Sequence, residues 1–373
     1  MRIGIDCRLA GQAHAGIGRY IQNLVVRLPH LAPEIEWVYF FHDQAQADTV
    51  LHGQDFKRQP EVVLASVKHY SLAEQTQLPA LFKQQHLDLL HIPHFNIPFW
   101  YSGRLIVTIH DLLWHEYRGS QVTTLSPWQY WLKYWGYRWI TRQAVKKASR
   151  ILVPAHFVEK TLLKYYPWAK PKVRVTKEGV EAIFLRHKSL HSEPIPKVSS
   201  LLYVGSLYPH KNLSLVIEAL HQLPTYKLIV VGSRSVFLLN LKQFVETNGL
   251  KSRVVFKGSL SDAELAELYP QVTALVQPSL SEGFGLTGLE AMAQGVPVLA
   301  SQIPVFQEIY QNGAIFFNPC SVQSFVEAVN KLMSADRLVI TKRGRKIASS
   351  YSWDTMTELT LEQYQESLKH TSR

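Results

Sequence analysis

The sequence predicts an α/β protein made of two doubly wound parallel sheets, and three observations carry that expectation. Its 373 residues exceed what one core ordinarily organises, which favours two domains of roughly 150 to 200 residues each. Short apolar runs ending in glycine or polar residues alternate with segments of helical period along most of the chain. The segment "VRVTKEGVEAIFLRHKSLHSEPIPKVSS" (173–200), polar and proline-rich after its first strand, then separates two such series. The expected division is a domain over 1–180, a linker over 181–198, a second domain over 199–350, and a terminal helix over 351–373 that packs back on the first domain.

In the first half, "RIGIDC" reads as a strand and "GIGRYIQNLVVRLPHL" as a helix. "EWVYFFH", "DLLHIPH" and "RLIVTIHDL" then read as strands, followed by a long helix near 127–148 and the strand "RILVPA". The second half alternates more cleanly. "LLYVGSL" and "YKLIVVG" flank a helix whose Leu213, Val216, Ile217 and Leu220 share one face. "SRVVFKGSL", a helix opened by Ser261 and Glu264 as a capping box, "VTALVQPSL", "GLEAMAQG", "VPVLAS" and "GAIFFNP" continue the pattern.

Composition narrows the function classes. The net charge is +11, and residues 1–178 hold 22 Lys and Arg against 13 Asp and Glu, so the basic excess lies in the first half. An anionic partner is implied there: a phosphate-bearing substrate or an anionic membrane. The stretch 128–150, "WQYWLKYWGYRWITRQAVKKASR", has six basic residues, no acidic ones and seven Trp or Tyr. It suits an anionic headgroup layer, although the aromatics could equally pack on the sheet. No nucleic-acid-binding pattern accompanies the charge, so no nucleic acid is expected. Two distant cysteines, Cys7 and Cys320, fit a reducing cytosol, and neither they nor any His/Asp/Glu spacing predicts a metal. The N-terminus lacks a signal-peptide pattern, and no window approaches the roughly 18 apolar residues of a spanning helix. A cytoplasmic protein is expected, peripheral at the inner face of the cytoplasmic membrane if the basic half binds lipid.

Two doubly wound domains place their strand ends so that a ligand binds between them, which directs attention to the loops there. His110 and Asp111 directly follow "RLIVTI"; a structural loop role is equally open for them. "GIGRY" (16–20) holds part of a dinucleotide fingerprint, but Ile21 stands where the third glycine belongs and Asp43 is a displaced ribose candidate. It reads better as a glycine turn near phosphate. Lys211 precedes a helix, where an ammonium can meet a phosphate or simply be solvated. In "SEGFGLTGLE" (281–290) Gly283 and Gly285 permit tight backbone. Thr287 and Glu290 form a possible capping box that would start the helix near Gly288. Amides at that helix start make an anion site, while Glu282 would sit on the loop. Alternatively Glu290 only caps the helix and Glu282 is a solvated charge.

Together these residues carry a resemblance. Glu282 and Glu290 with their intervening glycines, followed by "AMAQGVPVLAS", resemble the E-x7-E signature of the retaining, nucleotide-sugar-dependent glycosyltransferase family 4, which has the GT-B fold of two Rossmann-like domains facing each other across a cleft. "GIDCRLAGQAHAGIGRYIQNL", "VTIHDL", "YVGSLYPHKNL", "VVFKGSLSDAELAELY", "GAIFFNP" and "YSWDTMTELTLEQY" extend the likeness over nearly the whole chain. The resemblance implies that Gly16 and Ile17 face the donor diphosphate, with Lys211 and the backbone of Phe284, Gly285 and Leu286. It implies that His110 and Glu282 contact the transferred sugar at the reacting centre, that Glu290 holds the ribose, and that Gly258 and Leu260 wall the base. Many members carry arginine where this chain has Ser206, which leaves His210 or Arg234 as possible helpers of Lys211.

The spelling of "GIGRY", "HDL" and "GSLYPHKN" is most similar to the branch of bacterial mannosyltransferases of surface-polysaccharide and lipopolysaccharide assembly. That implies GDP-mannose as co-substrate, a glycan or lipid-linked glycan as acceptor, and no metal or other cofactor. Retention would proceed by front-face attack, the leaving phosphate accepting the acceptor's proton. UDP- or ADP-sugar transfer, a nucleotide-sugar epimerase, a sugar phosphorylase and an inactive sugar-nucleotide-binding scaffold are the alternatives.

Overall fold

The computed structural model describes residues 1–11, 14–117, 127–186, 199–232 and 235–369. Contacts divide the chain into two units, the first holding Met1–His115, Leu125–Gly179 and Ser352–Arg373, the second Glu116–Thr124 and Val180–Tyr351.

The first unit is built on seven parallel strands: β1 (Arg2–Asp6), β2 (Glu36–Phe41), β3 (Glu61–Leu64), β4 (Leu89–Ile92), β5 (Leu105–Thr108), β6 (Arg150–Val153) and β7 (Val173–Val175). Their order is β3-β2-β1-β4-β5-β6-β7, so the winding reverses between β1 and β4. The central strands are continuous apolar runs because helices cover both faces of a parallel sheet; every residue of β4 and β5 is buried. Strand β3 was not expected. Its short "EVVL" lies at the sheet edge and exposes both ends, so it lacks the apolar run that marks the others.

The terminal helix Trp353–Lys369 belongs to this unit. Tyr364 meets His91 of β4, hydroxyl to Nδ1, at 2.6 Å, and Asp354 pairs with Arg27 of the helix Ala15–Leu31 at 2.7 Å. Gly179 makes the close approach possible, since a Cβ there would lie 2.1 Å from the Trp353 nitrogen. A buried ion network stands at the end of β1: the Arg8 guanidinium bonds Asp6 at 2.7 Å and Glu74 at 2.9 Å. Burial alone would raise both carboxyls, but the Arg8 charge and hydrogen bonds outweigh it at Asp6, and those of His69 and Arg8 at Glu74, so both are lowered.

The second unit has six parallel strands: β8 (Ser199–Val204), β9 (Tyr226–Val231), β10 (Val254–Gly258), β11 (Ala274–Gln277), β12 (Val298–Ser301) and β13 (Ala314–Phe317). The order β10-β9-β8-β11-β12-β13 places its winding reversal between β8 and β11. Leu213, Val216, Ile217 and Leu220 enter one apolar core with β8, β9 and β11, as their spacing predicts. The Ser261–Glu264 capping box is formed, with both reciprocal bonds present.

Two expectations are corrected here. Residues 181–186, read as linker, contain the helical turn Ala182–Leu185, and Phe184 is fully buried against Tyr269 of the second unit. Most of the remaining linker, 187–198, lies outside the described residues. The helix expected near 127–148 is Pro127–Lys147, and it neither buries nor exposes its aromatics uniformly: Tyr130 and Tyr134 are buried, whereas Trp128, Trp131, Trp135 and Trp139 are exposed.

Candidate active site

In parallel α/β sheets ligands gather where the winding reverses, at the carboxyl ends of the flanking strands. In the second unit those strands are β8 and β11, and the loops that follow them carry Lys211 and Glu282. Lys211 Nζ donates to Glu282 Oε1 at 2.6 Å, both side chains being mostly buried. Ser279 Oγ donates to the same oxygen at 2.8 Å, so both of these bonds fall on Oε1 and neither on Oε2. The loops are also tied through backbone, Leu280 N–H donating to the His210 carbonyl at 2.8 Å.

The helix after this loop is Leu286–Ala293, and it starts earlier than the sequence suggests. Its N-cap is Gly285 at φ +106°, a left-handed conformation that an L side chain rarely adopts. Thr287 and Glu290 therefore lie inside the helix, and the capping box expected from them is not formed. The Tyr310 hydroxyl instead holds the Gly285 carbonyl at 2.6 Å and also meets Gln277, whose amide donates to Thr287 Oγ1. The first amides of this helix have no intrahelical partner and no side-chain cap, an anion-binding arrangement beside the Lys211 ammonium. Phe284 contributes backbone only, its ring packing edge-on against Tyr351.

The two glutamates differ. Glu282 is partly open on its loop, whereas Glu290 is 1% exposed with Oε2 3.4 Å from the Tyr269 hydroxyl. Gly258 ends β10 at φ +71° with open space where a Cβ would stand, and its carbonyl accepts from Gly232 N–H; Leu260 follows, half-buried. His210 is not a second cation beside Lys211. Burial first, then the Lys211 charge, lowers it to about 4, so it is neutral at pH 7. Ser206 uses its carbonyl to accept from the Tyr203 hydroxyl at 2.6 Å, and Arg234 lies outside the described residues.

In the first unit, Gly16 and Ile17 occupy the first turn of the helix Ala15–Leu31, which corrects their reading as a turn ahead of it. The glycine demanded by close packing is Gly18, whose Cβ would lie 1.9 Å from the Gly11 carbonyl oxygen. Asp43 caps the helix Gln44–Leu51 by accepting from Gln46 N–H at 2.8 Å, and Asp111 likewise accepts from Leu113 N–H at 3.0 Å. His110 follows β5. Its Nδ1 is 3.1 Å from Glu178 Oε1, its ring meets Tyr20 edge-on at 4.8 Å, and its buried Nε2 has no hydrogen-bond partner among the described residues. Sequence reasoning missed Glu178, Ser279, Gln277 and Tyr310. Glu178 fell beside the expected boundary, and no spacing links the others to Glu282. Among the described residues no group of three His, Cys, Asp or Glu has metal-binding geometry.

Two parallel-sheet α/β units of seven and six strands place the chain in the GT-B fold class. Residues 14–182 match the profile described as Glycosyltransferase Family 4, and residues 189–347 that of Glycosyl transferases group 1. The chain belongs to this family: it is a glycosyltransferase of the GT-B fold. Among its relatives is an O-antigen chain mannosyltransferase of Salmonella typhimurium, 29% identical over 283 residues, 76% of this chain and 74% of the relative. An O-antigen chain mannosyltransferase of Escherichia coli is 26% identical over 94% of this chain and 95% of its own. Solved structures share the fold: a sucrose-phosphate synthase of Thermosynechococcus elongatus (TM-score 0.79, 17% identity, all of both chains) and HepE of Anabaena with UDP and glucose (TM-score 0.75, 19% identity, 98% of this chain and 99% of that one).

Proposed function

We propose that the protein transfers mannose from GDP-mannose, with retention, to a lipid-linked glycan in surface-polysaccharide or lipopolysaccharide assembly. The Lys211–Glu282 pair beside the open helix start is the observation that carries the donor side of this reading. Lys211 and the amides of Phe284, Gly285 and Leu286 neutralise the leaving diphosphate, and Gly16 and Ile17 serve the same diphosphate. Glu282 Oε2 and His110 Nε2 hold sugar hydroxyls. Glu290 serves the ribose, and Gly258 and Leu260 the base. The charge on the leaving group is thus met by protein groups, which makes a metal ion or other cofactor unnecessary. The mannosyltransferase relatives support the donor sugar; HepE, solved with UDP and glucose, represents the competing donor class.

A donor screen tests this. GDP-mannose is expected to raise the melting temperature more than UDP-glucose or an ADP-sugar at equal concentration, and to release GDP only when a glycan acceptor is present. Preference for UDP-glucose overturns the donor assignment. An isomerised donor would mark an epimerase, phosphate-dependent cleavage a phosphorylase, and binding without turnover a scaffold.

The acceptor reading extends to location, at the inner face of the cytoplasmic membrane. No helix among the described residues is long and apolar enough to cross a membrane. On the helix Pro127–Lys147, however, Trp128, Trp131, Leu132, Trp135 and Trp139 are all exposed and fall within an arc of roughly 100° at helical spacing. Arg142 and Lys146 continue that face, both exposed, while Trp139 meets Phe99 at a tilted 43° beside exposed Trp100. Tryptophan over lysine and arginine is the chemistry of an anionic headgroup layer. Of the basic residues at the helix end, Lys147 is turned to the Phe99 and Tyr101 carbonyls and Arg150 to Glu366, so among the described residues Arg142 and Lys146 supply the charge on this face. Sedimentation with phosphatidylglycerol-containing vesicles should weaken about tenfold or more in Trp128→Ser/Trp135→Ser, and also on raising salt. Equal binding by this variant and wild type removes the membrane assignment.

A further inference from the structure

The geometry points to Glu178 as a positioning residue that holds His110 in the tautomer with Nε2 free to accept a hydrogen bond from the transferred sugar. This rests on the reading of His110 as a sugar contact. The carboxylate can only accept, so the 3.1 Å contact at Nδ1 requires the proton to sit on Nδ1 and leaves the lone pair on Nε2. The imidazole is held in place as well as polarised. Tyr20 packs edge-on against it, and the Tyr20 hydroxyl is fixed by Thr108 Oγ1 at 3.1 Å. Thr108 is bonded to His91 Nε2 at 2.8 Å, and His91 Nδ1 to Tyr364 at 2.6 Å, so the terminal helix braces the same group. Nε2 is then the one ring nitrogen of His110 without a partner among the described residues, and it is buried. A buried acceptor left open at a strand end of a ligand-binding sheet is a place for a ligand hydroxyl.

The neighbouring histidines and Tyr20 do not take over the role of Glu178. His91 and His94 at the end of β4 are held near 3, chiefly by burial, and are uncharged at neutral pH; Tyr20 is pushed up to about 12 by burial and stays protonated. Behind the two histidines, Asp6 and Arg8 are paired with each other.

The test compares Glu178→Ala, Glu178→Gln and His110→Ala in the full-length chain. Ring ¹⁵N spectra of histidine-labelled protein are read first, the His110 signal being identified by its loss in His110→Ala. Wild type should show Nδ1 protonated, Glu178→Ala a mixture of tautomers, and Glu178→Gln the wild-type tautomer, because its side-chain oxygen still accepts. In transfer assays Glu178→Ala should lower kcat about 10- to 100-fold at little-changed donor KM. Glu178→Gln should recover much of that loss, because its side-chain oxygen still accepts from Nδ1. An unchanged His110 tautomer in Glu178→Ala, or a Glu178→Gln variant as slow as Glu178→Ala, overturns the assignment. If wild type transfers no sugar from any donor, the proposed function fails while the tautomer comparison still decides the part played by Glu178.

Discussion

Lys211→Ala is expected to lower kcat/KM for sugar transfer by about 10²- to 10³-fold, the scale on which removing one preorganised charge stabiliser slows an enzyme. Two effects add in the same direction. The variant loses the ammonium proposed to meet the leaving diphosphate, and it leaves the Glu282 carboxylate, 17% exposed, with the Ser279 hydroxyl still donating to it. A mostly buried charge without its counter-ion repels an anionic donor as well as costing stability. For that reason Lys211→Ala should be worse than the double variant Lys211→Ala/Glu282→Gln in donor binding, although both are poor catalysts. Steady-state transfer rates with donor titration calorimetry measure the two quantities separately. Retention of more than about a third of wild-type kcat/KM in Lys211→Ala would remove the diphosphate role.

Gly285→Ala should destabilise the second unit by about 2–4 kcal/mol, combining a left-handed backbone penalty of roughly 1–2 kcal/mol with overpacking. A Cβ there would lie 2.2 Å from the Tyr310 hydroxyl and 2.9 Å from the Phe306 ring. The hydroxyl that would be displaced also holds Gln277 and the Gly285 carbonyl, so the helix start and the anion site move with it. Tyr310→Phe removes the closest clashing atom. The double variant Gly285→Ala/Tyr310→Phe should accordingly be more stable than additivity of the two singles requires, a coupling that melting temperatures of all four proteins reveal. Strict additivity, or a wild-type melting temperature for Gly285→Ala, contradicts this account of the loop.

Two capping boxes with the same spelling show how far sequence reading reached. Ser261 and Glu264 form theirs because Ser261 takes up an extended N-cap conformation at a loop end, where both reciprocal bonds are local. Thr287 and Glu290 do not, because Tyr310, far along the chain, holds the carbonyl of Gly285 and lets the helix begin at Leu286. In the same way, the tyrosines and tryptophans of Pro127–Lys147 are alike in composition but sorted by which side of the helix meets the sheet.

Legible in the residues alone are the alternation of buried strands and helices, the two-sheet class, the family, and the loop residues at the strand ends. These depend on periodicity and on residue types that are local in the chain, and parallel strands buried on both faces spell themselves plainly. The folded chain alone reveals that Lys211 bonds Glu282 across 71 residues, that Glu178 reaches back 68 residues to His110, and that burial keeps His210 neutral. Each of these depends on a distance or a degree of burial set by where separate strands end in space, which no local pattern in the chain encodes.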